Sequence, residues 1–285
     1  MIRLIAFDLD GTMLDENSVM SGSTIESLQL LIDRGYTIAS ISGRSVRRSL
    51  EPLADHADIA ARMYVCAYNG AVIVGPEVDG RRKKLYEQRL ADEVFKELME
   101  YVRDRDLNIV YCRCENSASG LVEEYRFVRT TEEISASWTG AGFVTDARLV
   151  ERILQGEFNA APKIMVMTGE EKRDKTVTDL QDRFGDALYL TWPLVDRIEV
   201  MHPAVNKGIA LQALARLAEV PLGQIMALGD GHNDLPMLRQ AGVGILMGNA
   251  FPAIRAAVEG SGIRLGPTLQ EEGFTQMVQD YVFGA

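Results

Sequence analysis

Residues 6–12 read AFDLDGT and put Asp8 and Asp10 two positions apart at the end of the apolar run RLIAF (3–7). The run is short and continuous, without a 3.6-residue period, so it reads as a buried strand. Asp is disfavoured in strands, and neighbouring carboxylates repel. A strand that ends on two acids is unfavourable unless a cation neutralises them. The bland alternative is that one of the two caps a following helix.

Outward from this stretch, strands and helices alternate. Ile25, Leu28, Leu31 and Ile32 recur at helical spacing in 23–34, with Ser21 or Ser23 as N-cap and Gly35 as stop. TIASI (37–41) reads as a strand, SVRRSLEPL opens a helix, and MYVCA (63–67) is a third strand. Such alternation predicts a parallel sheet with right-handed crossovers. From about residue 70 the pattern changes to a hairpin-like AVIVG and KLYEQR, a helix over 91–106, and closely spaced strand-like pieces NIVYCR, LVEEYRFV, KIMVMTG and LYLTW. Helical stretches at 147–155 and 170–184 intervene, which suggests an α+β insert with an antiparallel sheet. From about 196 the first pattern returns: RIEVM, a helix over 206–220, the strand IMALG (225–229), a helix over 233–240, GVGILMG (242–248), and helices near 250–258 and 269–282. The predicted architecture is a doubly wound parallel-sheet α/β core made of residues 1–82 and 195–285, interrupted by an inserted domain at 83–194.

Three further stretches lie at the edge where the core strands end, which is where open parallel sheets bind ligands. Ser42-Gly43-Arg44 follows TIASI directly and offers a hydroxyl and backbone N–H groups to an anion; its bland reading is an ordinary N-cap. Asn206-Lys207-Gly208 opens a helix, where a lysine opposes the helix dipole and is better used against carboxylates and phosphate. Gly229-Asp230-Gly231-His232-Asn233-Asp234 follows IMALG. Asp234 could charge a helix N-terminus, but Asp230 sits on the strand side of the turn and has no such role. His232 reads as incidental. With Asp8 and Asp10 these carboxylates suit Mg²⁺, a hard ion that takes one or two carboxylates together with substrate phosphate.

The bulk composition agrees. The chain has 285 residues, 47% of them hydrophobic, and a formal charge of −11. That charge argues against nucleic acid or an anionic membrane as the main partner, and a small anionic substrate would need local positive charge. The three cysteines, Cys66, Cys112 and Cys114, fit a reduced cytosol better than a disulfide scaffold. The N-terminus does not read as a signal peptide, and nowhere do about 18 apolar residues run together. The expectation is a cytoplasmic protein; its oligomeric state is not legible.

DLDGT (8–12), SGR (42–44), NKG (206–208) and GDGHND (229–234) together resemble the signature motifs of the haloacid dehalogenase superfamily, in their order and spacing. The large insert and the stretch YNGA (68–71) resemble the Cof-type, sugar-phosphatase-like subgroup. Ser42 stands where Thr is commoner and still supplies the hydroxyl. The resemblance implies a phosphatase in which Asp8 is the nucleophile and forms an aspartyl-phosphate, while Asp10 serves as acid and base. It implies Mg²⁺ on the Asp8 and Asp230 carboxylates and the Asp10 carbonyl, with Asp234 in the first or second shell. Ser42, Gly43 and Lys207 would bind the phosphoryl oxygens. Asn233 would help orient them, and Arg44 and Asn69 would neighbour the substrate. The inserted domain would be a cap that closes over the core and contacts the leaving group. The implied partner is a small phosphorylated metabolite. A hexose phosphomutase and a non-catalytic phosphate binder are the alternatives. A receiver module is about half this length with its acceptor Asp after its third strand, and a transport ATPase needs membrane helices.

Overall fold

The computed structural model describes residues 1–131, 142–192 and 194–284. The chain divides into two units, Met1–Tyr86 with Asn206–Ala285, and Glu87–Val205.

The first unit is built on an eight-stranded sheet. In chain order its strands are β1 (Leu4–Phe7), β2 (Thr37–Ile41), β3 (Tyr64–Ala67), β4 (Val72–Val74) and β5 (Lys84–Glu87), then β12 (Ile225–Gly229), β13 (Val243–Leu246) and β14 (Arg264–Leu265). Their order across the sheet is β14-β13-β12-β1-β2-β3-β4-β5. The six strands from β14 to β3 are parallel, and β4 turns back antiparallel to β3. From β1 the chain winds outward one way through β2 and β3; from β12 it winds the other way through β13 and β14. The switch point therefore lies between β1 and β12, where ligands bind in such sheets. In the register, Phe7 stands beside Leu228 and Ser40. Asp8, Asp230 and Ser42 thus emerge at one edge within two residues of that row.

The strands are apolar on both faces because helices cover the sheet. The helix Gly22–Asp33 starts at Ser21, whose hydroxyl accepts the Thr24 N–H, and the chain leaves it through Gly35 at φ +81°. The helix Lys207–Leu217 is capped by Asn206, whose Oδ1 accepts the Ile209 N–H at 2.9 Å. It buries Leu211 and Leu214 with Leu4, Ile41, Cys66 and Ile225 of the sheet. A Cβ on Gly208 would lie 2.9 Å from Pro236 Cβ, so glycine is what lets this helix lie close to the helix Leu235–Gln240.

Among the described residues the second unit has six strands: β6 (Asn108–Ser117), β7 (Gly120–Phe127), β8 (Phe143–Thr145), β9 (Lys163–Met167), β10 (Tyr189–Thr191) and β11 (Arg197–Met201). They are ordered β10-β11-β9-β6-β7-β8 and are antiparallel except for β7 with β8. Helices Asp92–Asp104, Leu149–Leu154 and Glu170–Phe184 contribute Leu98, Val102, Leu149, Ile153 and Leu180 to a core with Ile109, Tyr111, Ile164, Val166 and Ile198 of the sheet. Cys112 and Cys114 are buried strand residues of β6.

The sequence-based boundaries at 82 and 195 need correction at both ends. β5 belongs to the sheet of the first unit. RIEVM, expected to reopen the core, is β11 and pairs antiparallel with β9 and β10. Its five residues are all buried, and a continuous buried run looks the same in a parallel core as in an antiparallel sheet buried on both faces. The two-residue β14 was not expected. Among the described residues no helix is long and apolar enough to cross a membrane.

Candidate active site

Asp8 is the first residue beyond β1, where its N–H still donates to the Leu228 carbonyl at 3.0 Å. Its carboxylate meets Lys207, whose Nζ lies 2.7 Å from Asp8 Oδ1 and 2.6 Å from Asp234 Oδ1. Lys207 is 1% exposed and Asp234 is fully buried. A lysine buried this deeply needs such partners, because an unpaired charge out of water costs several kcal/mol.

Asp234 is fully engaged. Its Oδ1 accepts from Lys207, while Oδ2 accepts the N–H groups of Asp230 (3.0 Å) and Gly231 (2.8 Å). It therefore shapes the turn after β12 and fixes where Asp230 projects. Asp230 Oδ1 takes a long contact, 3.5 Å, from the hydroxyl of Thr12. A Cβ on Gly11, whose φ is +75°, would lie 2.2 Å from Asp230 Oδ2, so only glycine fits between the first loop and this carboxylate. Asp8, Asp230 and Asp234 each offer an oxygen within 4.8 Å of the other two.

Three carboxylates face one ammonium, and the electrostatics show it. Burial pushes the Asp8 carboxyl up to about 7; Lys207 opposes this and Asp234 adds to it. Burial and Asp234 raise Asp230 to about 6. Burial pulls the Lys207 ammonium down, but Asp234 and Asp8 outweigh it and its pKa stands above the ordinary value. A cluster short of positive charge, made of hard carboxylate oxygens, is the donor chemistry that suits a divalent cation such as Mg²⁺.

The remaining expected residues are placed less uniformly. Asp10 turns away from the acidic cluster: its carboxylate is held by Arg44, with Nε donating to Oδ2 at 2.8 Å and Nη2 pairing with Oδ1. The Asp10 side chain is 58% exposed. Arg44 also donates to Ser18 Oγ at 2.8 Å, so it acts on Asp10 and on the turn at 15–19, a partner that spacing did not indicate. Ser42 is buried, donates its N–H to Cys66 O and accepts the Arg44 N–H on Oγ. Gly43 lies against the carboxamide of Asn69; a Cβ there would come within 3.4 Å of Asn69 Oδ1. Asn233 is exposed, and its Oδ1 folds back close to Gly231. His232 is exposed.

Two residues escaped the sequence reading. Thr12 is buried against Asp230. Asn249, just beyond β13, donates Nδ2 to Gly11 O at 2.8 Å and accepts the Leu269 N–H at 3.0 Å, tying the loop after β1 to the chain beyond β14. The signal for Asn249 was its place after a core strand's carboxyl end, the same position that singled out Asp8 and Asp230.

Fold and site together define an enzyme of the doubly wound α/β class, with carboxylates and a buried lysine gathered at the switch point of the sheet. The chain belongs to the haloacid dehalogenase-like hydrolases, whose family model matches residues 5–260. It is 26% identical over 262 residues to an HMP-PP phosphatase of Cronobacter sakazakii, covering 90% of this chain and 88% of that one. Identity is also 26% over 281 residues to a 5-amino-6-(5-phospho-D-ribitylamino)uracil phosphatase of Bacillus subtilis, covering 98% and 97%. A crystal structure from Thermotoga maritima matches with a TM-score of 0.81 at 22% identity over 98% and 97% of the two chains, a likeness of fold.

Proposed function

We propose that this protein is a Mg²⁺-dependent phosphatase of small phosphate monoesters that works through an aspartyl-phosphate on Asp8. The observation that carries the reading is the buried Lys207 bridging Asp8 and Asp234 at the switch point, with Asp230 beside them. The relatives in Cronobacter sakazakii and Bacillus subtilis, both named as phosphatases of small metabolites, support it. So does the formal charge of −11, which disfavours a polyanionic partner. The inserted unit, Glu87–Val205, is read as the specificity-bearing cap domain.

In the first half-reaction a carboxylate oxygen of Asp8 attacks phosphorus, and the bond from phosphorus to the ester oxygen breaks. Asp10 gives its proton to that oxygen, which leaves as the alcohol. In the second half a water oxygen attacks phosphorus while Asp10 takes the water's proton, and the Asp8–phosphorus bond breaks. Inorganic phosphate leaves and the Asp8 carboxylate is restored. Lys207 and the Gly43 N–H with Ser42 bind the phosphoryl oxygens and stabilise the charge that builds on them. Arg44 holds the Asp10 carboxylate away from Asp8, so Asp10 must part from Arg44 to reach the ester oxygen. Mg²⁺ would be held by the Asp8 and Asp230 carboxylates and the Asp10 carbonyl, while Asp234, with both oxygens occupied, orients Asp230 and Lys207. When bound, the ion would keep Asp8 ionised and neutralise phosphoryl charge.

The protein is expected to hydrolyse p-nitrophenyl phosphate with added Mg²⁺ and to lose that activity in EDTA. Undiminished release of p-nitrophenol in EDTA would exclude the metal from the reading.

The cluster's titration gives a second test. Both Asp8 and Asp230 are raised, so the folded chain holds protons that the unfolded chain has released. Their contribution to stability is full below the ordinary carboxylate value of 3.8 and is lost as pH rises through about 6 and about 7. Mg²⁺ competes with those protons. It is expected to raise the thermal midpoint more at about pH 8 than at about pH 5.5. Equal shifts at the two pH values would contradict an ion seated on these carboxylates.

A further inference from the structure

Asn249 lies just beyond β13, and its side chain joins two stretches that are far from each other in sequence. Its Nδ2 donates to Gly11 O at 2.8 Å, and its Oδ1 accepts the Leu269 N–H at 3.0 Å. The Leu269 end of this tie is well anchored. The Gly248 N–H donates to Pro267 O at 2.9 Å. Thr268 and Glu271 form a capping box, in which Glu271 Oε2 accepts the Thr268 N–H at 2.9 Å and the Thr268 hydroxyl accepts the Glu271 N–H at 3.2 Å. A Cβ on Gly248 would lie 2.9 Å from Gly266 O, so the two backbones are pressed together there. Both bonds of Asn249 are exposed. Water could satisfy the Gly11 carbonyl equally well, so the amide adds little to stability. What it does that water cannot is hold that carbonyl in one direction.

The Gly11 carbonyl belongs to the peptide that joins Gly11 to Thr12, and these two residues flank the Asp230 carboxylate. The Thr12 hydroxyl faces Asp230 Oδ1 from 3.5 Å, and the α-carbon of Gly11 leaves no room for a side chain beside Oδ2. A tilt of this one peptide would therefore move both neighbours of Asp230 together. Gly11, at φ +75°, has backbone freedom that no other residue type has, so the loop is softest at the residue that Asn249 grips. The phosphate-binding side takes its positions from elsewhere: Lys207 from Asp234, and Ser42 from the Cys66 carbonyl.

We propose that Asn249 is a positioning residue for the metal-binding carboxylate: by fixing the Gly11–Thr12 peptide it holds Asp230 in the orientation that binds Mg²⁺. This rests on the Mg²⁺-dependent reading of the site and deepens it. Removing a group that orients a metal's ligands without touching the ion typically costs about ten- to a hundredfold in metal affinity. The loss falls on the metal and not on the phosphate, because Lys207 and Ser42 are held by partners outside this tie.

The test titrates Mg²⁺ into the full-length, metal-free protein by isothermal calorimetry, with no substrate present. Asn249→Ala removes both bonds and is expected to weaken Mg²⁺ binding by about tenfold or more. In hydrolysis of p-nitrophenyl phosphate the Mg²⁺ concentration giving half the maximal rate should rise with it. KM for the ester at saturating Mg²⁺ should stay within about twofold of the wild-type value. Asn249→Asp keeps an acceptor for the Leu269 N–H but turns an oxygen towards Gly11 O, which repels it. Its added charge alone would draw the cation tighter, so weaker Mg²⁺ binding in this variant has the sign that displacement of the loop gives. Unchanged Mg²⁺ affinity in Asn249→Ala, tighter binding in Asn249→Asp, or a KM that rises in step with the Mg²⁺ requirement would overturn the proposal. A wild type that binds no Mg²⁺ would remove the metal reading and this proposal with it. One that binds Mg²⁺ but releases no p-nitrophenol would remove the phosphatase reading alone, and the calorimetric comparison would still decide the role of Asn249.

Discussion

Asp8→Asn is expected to cut turnover of p-nitrophenyl phosphate by at least about a thousandfold, as loss of a nucleophile does. The amide matches the carboxylate in shape, so Lys207 keeps an oxygen to donate to where it now meets Asp8 at 2.7 Å. The same change removes one charge from a cluster in which burial already drives Asp8 up to about 7. Above that pH an ionised Asp8 is a destabilising charge, so without Mg²⁺ the variant should melt no lower than the wild type at about pH 8. Loss of activity without loss of stability separates a reacting group from a structural one. An Asp8→Asn protein that turns over at the wild-type rate would remove Asp8 as nucleophile.

The second large effect is expected at Lys207. Lys207→Met fills a similar volume with an apolar chain and leaves Asp8 and the fully buried Asp234 facing each other without their shared cation. Breaking a buried pair from one side costs about 3–5 kcal/mol. Here the denaturation midpoint should fall by a corresponding amount and phosphatase activity should vanish. Part of the lost stability should return at low pH, where Asp8, which burial raises to about 7, becomes neutral. Denaturant titrations at about pH 5 and about pH 8 check this; a variant as stable as the wild type at both would show that Lys207 does not hold the two acids together.

The positions that carry charge at strand ends were legible in the sequence because a polar residue there contradicts its local pattern. Asp8, Asp10, Asp230 and Lys207 each break an apolar run or oppose a helix dipole, and such breaks stand out without any structure. The core strands and most helices were legible for the related reason that their periods are short and their caps, such as Ser21 and Asn206, are local. β11 was misplaced because five buried residues in a row carry no mark of which sheet they join. Asn249 went unseen because its partners, the Gly11 carbonyl and the Leu269 N–H, are backbone groups distant in sequence. Arg44 was read as a substrate neighbour from its place after β2, and its pairing with Asp10 and Ser18 was not legible because those partners lie far off in sequence.

The sequence by itself determined that acids, a hydroxyl and a lysine would collect at the carboxyl edge of a parallel sheet, since strand alternation and register are written in local pattern. Only the tertiary structure decided how those groups divide. Asp234 is spent on Lys207 and two backbone N–H groups, Asp10 is drawn off by Arg44, and the Asn69 Oδ1 is held out of water with no partner. Hydrogen-bond satisfaction and desolvation depend on what lies within about 3 Å in space, and spacing along the chain does not carry that information.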